Sequence, residues 1–181
     1  MIIRIIRSCF GLIKLTIIKL FHYKQFYFSP FSFVDPSIRI EFRGTKAKLV
    51  LGKGFKSRSN VILRVSGQLT IGDNVFINDS CKINCDHLIN IGNDSIFGPN
   101  VLMFDDDYDY TSKDLTRLAG WKHGQVSIGE DVWVGANVVI LRNAVIGSHS
   151  VVGAGALVKE VIPERSLAHN EHKLIIKNII K

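Results

Sequence analysis

From Ile128 onward an aliphatic side chain falls on every sixth position: Ile128, Val134, Ile140, Ile146, Val152 and Val158. Four residues after each of the first five stands a small or short residue, Val132, Val138, Ala144, Ser150 and Ala156. Glycine follows the aliphatic at Gly129, Gly135, Gly147 and Gly153. With aliphatics at about a third of positions, six hits in a row arise by chance on the order of once in a thousand trials, so the period reports the fold. The same phase runs earlier through Ile71, Ile77 and Ile83, and restarts two residues late at Ile91, Phe97 and Met103.

Successive Leu-Gly or Ile-Gly starts at Leu51, Ile71, Ile91, Ile128 and Ile146 are spaced 20, 20, 37 and 18 residues apart. The long interval holds an excursion over about residues 105–125. Three short strands of about six residues make one triangular coil, and stacked coils pair in parallel at about 4.8 Å. The aliphatic residues fill a narrow core, and the small positions keep it from being overpacked. Period six fits neither a helix, nor a membrane span, nor a doubly wound sheet. The predicted fold is all-β, a parallel β-helix of hexapeptide repeats over residues 29–162.

Residues 1–28 are strongly apolar but interrupted by Arg4, Arg7, Lys14 and Lys19, so no run reaches the roughly 20 residues of a bilayer span. No small-residue cleavage site follows, which argues against a signal peptide. Wound at about 100° per residue, Arg4, Arg7, Ser8, Gly11, Lys14 and Lys19 share one arc, with Ile2, Ile3, Ile6, Phe10, Ile13, Ile17 and Leu20 outside it. Two roles fit this amphipathic helix: lying on an anionic membrane surface, or capping the open end of the solenoid. Residues 163–181 read as a short amphipathic helix covering the last coil.

Lys and Arg number 23 against 16 Asp and Glu, a formal charge of +7 that favours anionic partners. The positive residues cluster toward the termini and no recognition motif appears, which argues against a nucleic-acid module. Cys9, Cys81 and Cys85 lack a companion pair, and His169 and His172 lack a third ligand, so no metal site is expected. The cysteines read as reduced thiols that pack, in a cytoplasmic protein.

Residues 126–163, above all Trp133, Gly135, Ala136 and Asn137, resemble the hexapeptide-repeat O-acetyltransferase family, which includes the galactoside and maltose acetyltransferases and many enzymes of surface-polysaccharide assembly. The resemblance implies a left-handed solenoid, a homotrimer with active sites between neighbouring solenoids, and acetyl-CoA lying along the groove. It implies that Trp133 lines the acetyl end, that Gly135, Ala136, Gly153 and Ala154 admit the cofactor's thin arm, and that Lys159 and Lys173 meet its phosphates.

The family places a catalytic histidine on the excursion, as general base toward the acceptor hydroxyl. Here the stretch reads Phe104-Asp105-Asp106-Asp107-Tyr108-Asp109-Tyr110, with Asp106 at the histidine's place. Three readings stay open. A carboxylate crowded by its neighbours acts as base. Or a different histidine substitutes: His87, which a straight register puts one rung from Asp107, or His123 on the loop's return. Or activity is lost, and the chain scaffolds other enzymes. A second departure follows the last coil, where Ala168-His169-Asn170-Glu171-His172-Lys173 replaces the family's Gly- and Pro-containing turn and brings the negative Glu171 near a phosphate-rich ligand.

The resulting expectation is an acyl-CoA-dependent O-acyltransferase acting on a lipid-linked or nucleotide-linked sugar in bacterial surface-glycan assembly, with His87, Asp106 and Asp107 as candidate catalytic residues. The N-terminal helix would hold it at the inner face of the cytoplasmic membrane. The alternatives are an N-acetyltransferase on an amino-sugar nucleotide and a non-catalytic scaffold.

Overall fold

A computed structural model describes residues 2–171, with side chains from residue 6 onward. After one helix, Ile2–Phe21, the chain winds through three parallel sheets of seven, six and six strands. The first sheet stacks Phe26–Phe28, Lys48–Leu51, Gln68–Ile71, Leu88–Ile91, Gln125–Ile128, Val145–Ile146 and Val161–Ile162. The second runs from Lys56–Ser57 through Phe76–Ile77, Ile96–Phe97, Trp133–Val134 and Val151–Val152 to Leu167–Ala168. The third runs from Arg39–Phe42 through Ile62–Val65, Lys82–Cys85, Leu102–Phe104 and Val139–Ile140 to Leu157–Val158. The all-β, parallel β-helix expectation holds.

Packing follows the period. Ile71, Ile77, Ile83, Ile128, Val134, Ile140, Ile146, Val152 and Val158 are all buried, and so are the short residues between them. Removing each large aliphatic side chain from water contributes about 1.5–3 kcal/mol. Two short positions carry hydroxyls that stitch coils together. Ser95 Oγ donates to the Gly129 carbonyl at 3.1 Å and accepts the Val132 N–H at 3.2 Å. Ser150 Oγ donates to the Pro163 carbonyl at 2.9 Å and accepts the Ser166 N–H at 3.1 Å. Cys81 and Cys85 are also core residues, and burial pushes the Cys81 thiol up to about 11.

The corners explain the abundance of Asn and Asp. Asn60, Ser80, Asn100 and Asn137 repeat at one corner with φ between 57° and 61°, and Asn74, Asp94 and Asp131 at another with φ between 52° and 60°. A short polar side chain tolerates this left-handed conformation best among residues with a Cβ.

The N-terminal helix covers the first coil with its polar arc facing inward. Lys14 Nζ donates to the carbonyls of Pro36 and Ile38 at 2.8 and 2.6 Å, and Lys19 Nζ to that of Tyr23 at 2.7 Å and to that of Phe26. Arg7 pairs with Asp35 at 2.7 Å. A Cβ on Gly11 would collide with the Val34 carbonyl, and Leu15 is fully buried. These contacts give the basic arc the capping role.

At the other end the second sheet continues to Leu167–Ala168, where a helix was expected from residue 163. The remainder of that expected helix, residues 172–181, lies outside the described residues. The alternation Ile162, Ser166, Ala168 is too short to show a period, but it suffices for one more rung.

Candidate functional site

The excursion is a small hairpin. The chain leaves the third sheet after Phe104, Asp106–Tyr108 pairs antiparallel with Trp121–His123, and the first sheet resumes at Gln125. Tyr108 and Trp121, which face each other across the pair, stack with ring centroids 3.9 Å apart. At the tip, Asp109 accepts hydrogen bonds from Thr111 and Lys122, which hold its carboxyl down to about 2.

Three consecutive aspartates take three different places. Asp105 is fully buried and accepts three backbone N–H bonds from the coil before it, from Asp86, His87 and Leu88, at 2.7, 2.8 and 2.7 Å. Its carbonyl accepts the Gly124 N–H at 2.8 Å, so one residue fastens both ends of the hairpin. Asp107 bonds Arg142 Nε at 2.9 Å. Asp106 lies directly opposite His123 in the hairpin register. Facing residues of an antiparallel pair project their side chains to the same side, with Cβ atoms about 4.5–5.5 Å apart. Partial burial, together with the charges of Asp86, Asp105 and Asp107, raises the Asp106 carboxyl above the ordinary range, and His123 acts in the opposite direction.

The straight register that would set Asp107 beside His87 ends at Phe104, the last residue to keep the twenty-residue offset in its pairing with Asn84. Beyond it the chain folds inward, so Asp105 meets the His87 backbone and Asp107 pairs with Lys122 across the hairpin. His87 itself is exposed at the adjacent corner. The residues that sequence reasoning passed over are Asp105 and Arg142. A carboxylate at the head of three consecutive aspartates carries no signal of its own, and Arg142 lies one coil further on.

A groove of about 420 Å³ runs over the second sheet. Its lining brings together Trp133, Gly135, Ala136, Gly153 and Ala154, with Ile96 beside the exposed indole. A Cβ on Gly135 would stand 2.6 Å from the Ala154 nitrogen, so stacking of the coils itself demands this glycine. The alanines keep the trough shallow. A second groove of about 400 Å³ follows at the last coil, lined by Lys159, His169 and Asn170 among others. There Asn170 Oδ1 accepts the Leu157 N–H at 2.6 Å, closing the turn that lacks the family's Gly and Pro. Lys173 lies outside the described residues. The groove occupies the second sheet and its corner with the third, whereas the hairpin leaves at the corner between the third and first. No described hairpin residue lines the groove.

Residues 125–160 match the family described as bacterial transferase hexapeptide (six repeats). A galactoside O-acetyltransferase of Lactococcus lactis is 34% identical over 108 residues, which cover 60% of this chain and 52% of the relative. A probable acetyltransferase of Mycobacterium tuberculosis is 30% identical over 154 residues, 81% of this chain and 49% of the relative. The chain thus spans about half the length of the curated relatives it matches. Among solved structures, a maltose O-acetyltransferase from Clostridium difficile superposes with a TM-score of 0.54 at 25% identity, covering 87% of this chain and 68% of that one. AntD, an N-acyltransferase from Bacillus cereus in complex with dTDP and 3-hydroxybutyryl-CoA, gives a TM-score of 0.70 at 19% identity over 84% and 82% of the two chains, a likeness of fold.

Proposed function

We infer that this hexapeptide-repeat chain transfers an acyl group, acetyl in the first instance, from a CoA thioester to a sugar hydroxyl. The observation that carries the reading is the pairing of Asp106 with His123 in the hairpin, because it restores a histidine–carboxylate couple at the excursion. The named relatives, a galactoside and a maltose O-acetyltransferase, support a sugar hydroxyl as acceptor. Surface-glycan assembly as the setting rests on the family resemblance.

The residues fit an acyl-CoA donor. The groove between Trp133 and Ala154 has the shallow, apolar character that a pantetheine arm requires, and Lys159 stands where the trough meets the last coil. The donor supplies an activated thioester. In the proposed step the neutral His123 imidazole removes the acceptor's proton as its oxygen attacks the thioester carbonyl. The carbon–sulfur bond then breaks and the imidazolium returns the proton to the departing thiolate. Asp106 steadies the imidazolium while it exists, and Asp107 with Arg142 braces the strand that carries Asp106. Groove and hairpin occupy different corners of the solenoid, so a site using both draws the groove of one chain and the hairpin of its neighbour together. The homotrimer of the family resemblance would do this.

The test is product analysis with acetyl-CoA and paired hydroxyl and amine sugar acceptors. His123→Ala should lower kcat by about 10²–10⁴-fold, whereas His87→Ala should leave it nearly unchanged. The reverse pattern would move the base to His87. Acylation of the amine alone would make the chain an N-acyltransferase. Absence of both product and acetyl-CoA binding in the folded protein would leave the scaffold reading.

A further inference from the structure

The N-terminal helix is turned inside out relative to an ordinary surface helix. Arg7, Lys14 and Lys19 are engaged with the solenoid, and apart from the buried Leu15 and half-buried Leu12 and Ile18 the described large apolar side chains of the helix face away from it. Ile6, Phe10, Ile13, Ile17 and Leu20, at alternating spacings of three and four, are between 48% and 71% exposed, and Phe21 is 80% exposed. A single exposed leucine needs no explanation, but a continuous helical stripe does. The stripe extends past the helix into Tyr23, Tyr27 and Phe31, each more than two-fifths exposed.

A cation accompanies each of these aromatic rings. Lys24 Nζ lies 5.5 Å from the Tyr23 ring, Lys19 and Lys48 lie 4.1 and 5.7 Å from that of Tyr27, and Lys53 lies 5.7 Å from that of Phe31. Charge is divided along the chain in the same sense. Residues 1–60 hold twelve Lys and Arg against two Asp and Glu, whereas residues 61–181 hold eleven against fourteen. The apolar stripe therefore stands on the strongly positive end of a solenoid whose remainder is slightly negative.

We propose that this end docks on the surface of an anionic lipid bilayer, with the helix in the plane of the interface. The apolar stripe would enter the boundary between headgroups and acyl chains, the aromatic rings would sit at headgroup level, and the lysines would meet lipid phosphates. No described helix is long and apolar enough to cross a membrane, and this one is held along its length by contacts to the first coil. A second copy of the same surface is a poor partner, since pairing would bring two strongly positive ends together. The proposal is independent of the transferase reading.

The experiment is flotation of the full chain with vesicles of phosphatidylcholine alone and of phosphatidylcholine mixed with phosphatidylglycerol, at low and high salt. Binding should require the anionic lipid and weaken at high salt. The double variant Ile13→Glu/Ile17→Glu changes only outward side chains. It should lose about tenfold or more of the binding with an unchanged thermal melt, as should Lys24→Glu/Lys53→Glu. Failure of the wild type to float with anionic vesicles, or equal flotation of the variants, overturns the proposal. So does concentration-dependent self-association that Ile13→Glu/Ile17→Glu abolishes, which would identify a second copy as the occupant.

Discussion

Asp105 fastens the hairpin to the coil before it, and Asp105→Asn tests how much depends on that attachment. The carboxylate accepts three N–H bonds at 2.7–2.8 Å in a fully buried setting. The amide keeps the shape but has one accepting oxygen, and its NH₂ group must face a backbone donor. A hydrogen bond to a charged group contributes about 1.5–3 kcal/mol, and a buried donor left unpaired costs about 1–3 kcal/mol. Losses within one cluster do not add fully, so the expected destabilisation is about 3–5 kcal/mol. For a chain of this length about 2–4 °C accompanies each kcal/mol, which gives a fall in Tm of roughly ten degrees. Far-ultraviolet circular dichroism, checked by urea titration, reads it directly. Asp107→Asn is the control: its pair with Arg142 is partly exposed, and losing it should cost under about 1 kcal/mol. If the Asp105 variant melts with the wild type, the three bonds do not hold the hairpin and the reasoning fails.

Two further outcomes follow from contacts at the hairpin and at the cap. Because the folded Asp106 carboxyl titrates above its ordinary value, its charge opposes folding at neutral pH, and that penalty vanishes as pH falls through the raised value to below the ordinary one. Asp106→Asn should therefore raise stability at pH 7 while lowering turnover, and denaturant titrations across acidic pH should show the gain disappearing. A stability gain that persists at low pH would show another cause. Gly11→Val places a methyl-bearing carbon against the Val34 carbonyl and should lift the helix from the first coil. Trypsin would then cut after Lys14 and Lys19, whose ammonium groups are engaged with carbonyls in the native protein. Unchanged protection would refute the packing argument.

The solenoid was legible because its period repeats often enough to exceed chance, and because glycines and small residues mark the same phase. The first and last coils were not. Phe26–Phe28 and Leu167–Ala168 pair with neighbours as faithfully as the inner strands, but each is a single instance with no repeat on its outer side. The amphipathic arc of the helix was visible, but its direction was not, since lysines suit either water or the unpaired carbonyls at a solenoid's end. At the candidate site, the family resemblance pointed to the excursion and could not rank its members. Asp105, Asp106 and Asp107 look alike in sequence, and only the turn after Phe104 sends one into the core, one to His123 and one to Arg142. The straight offset that joined His87 to Asp107 assumed a ladder running through the departure point, where it stops.

The twenty-residue coils before the hairpin share one register, Leu49 on Leu69 on Ile89 in the first sheet and Leu63 on Ile83 on Met103 in the third. Deleting twenty residues, one whole coil, would leave matching seams on all three faces. The solenoid is thus a ruler with a graduation of about 4.8 Å. Three such graduations, about 14 Å, separate Ile40 in the first coil from Met103 at the hairpin's root. Coil number sets the standoff of the hairpin from the helix-covered end, and a lineage gaining or losing a coil would change that reach in fixed steps without altering either end.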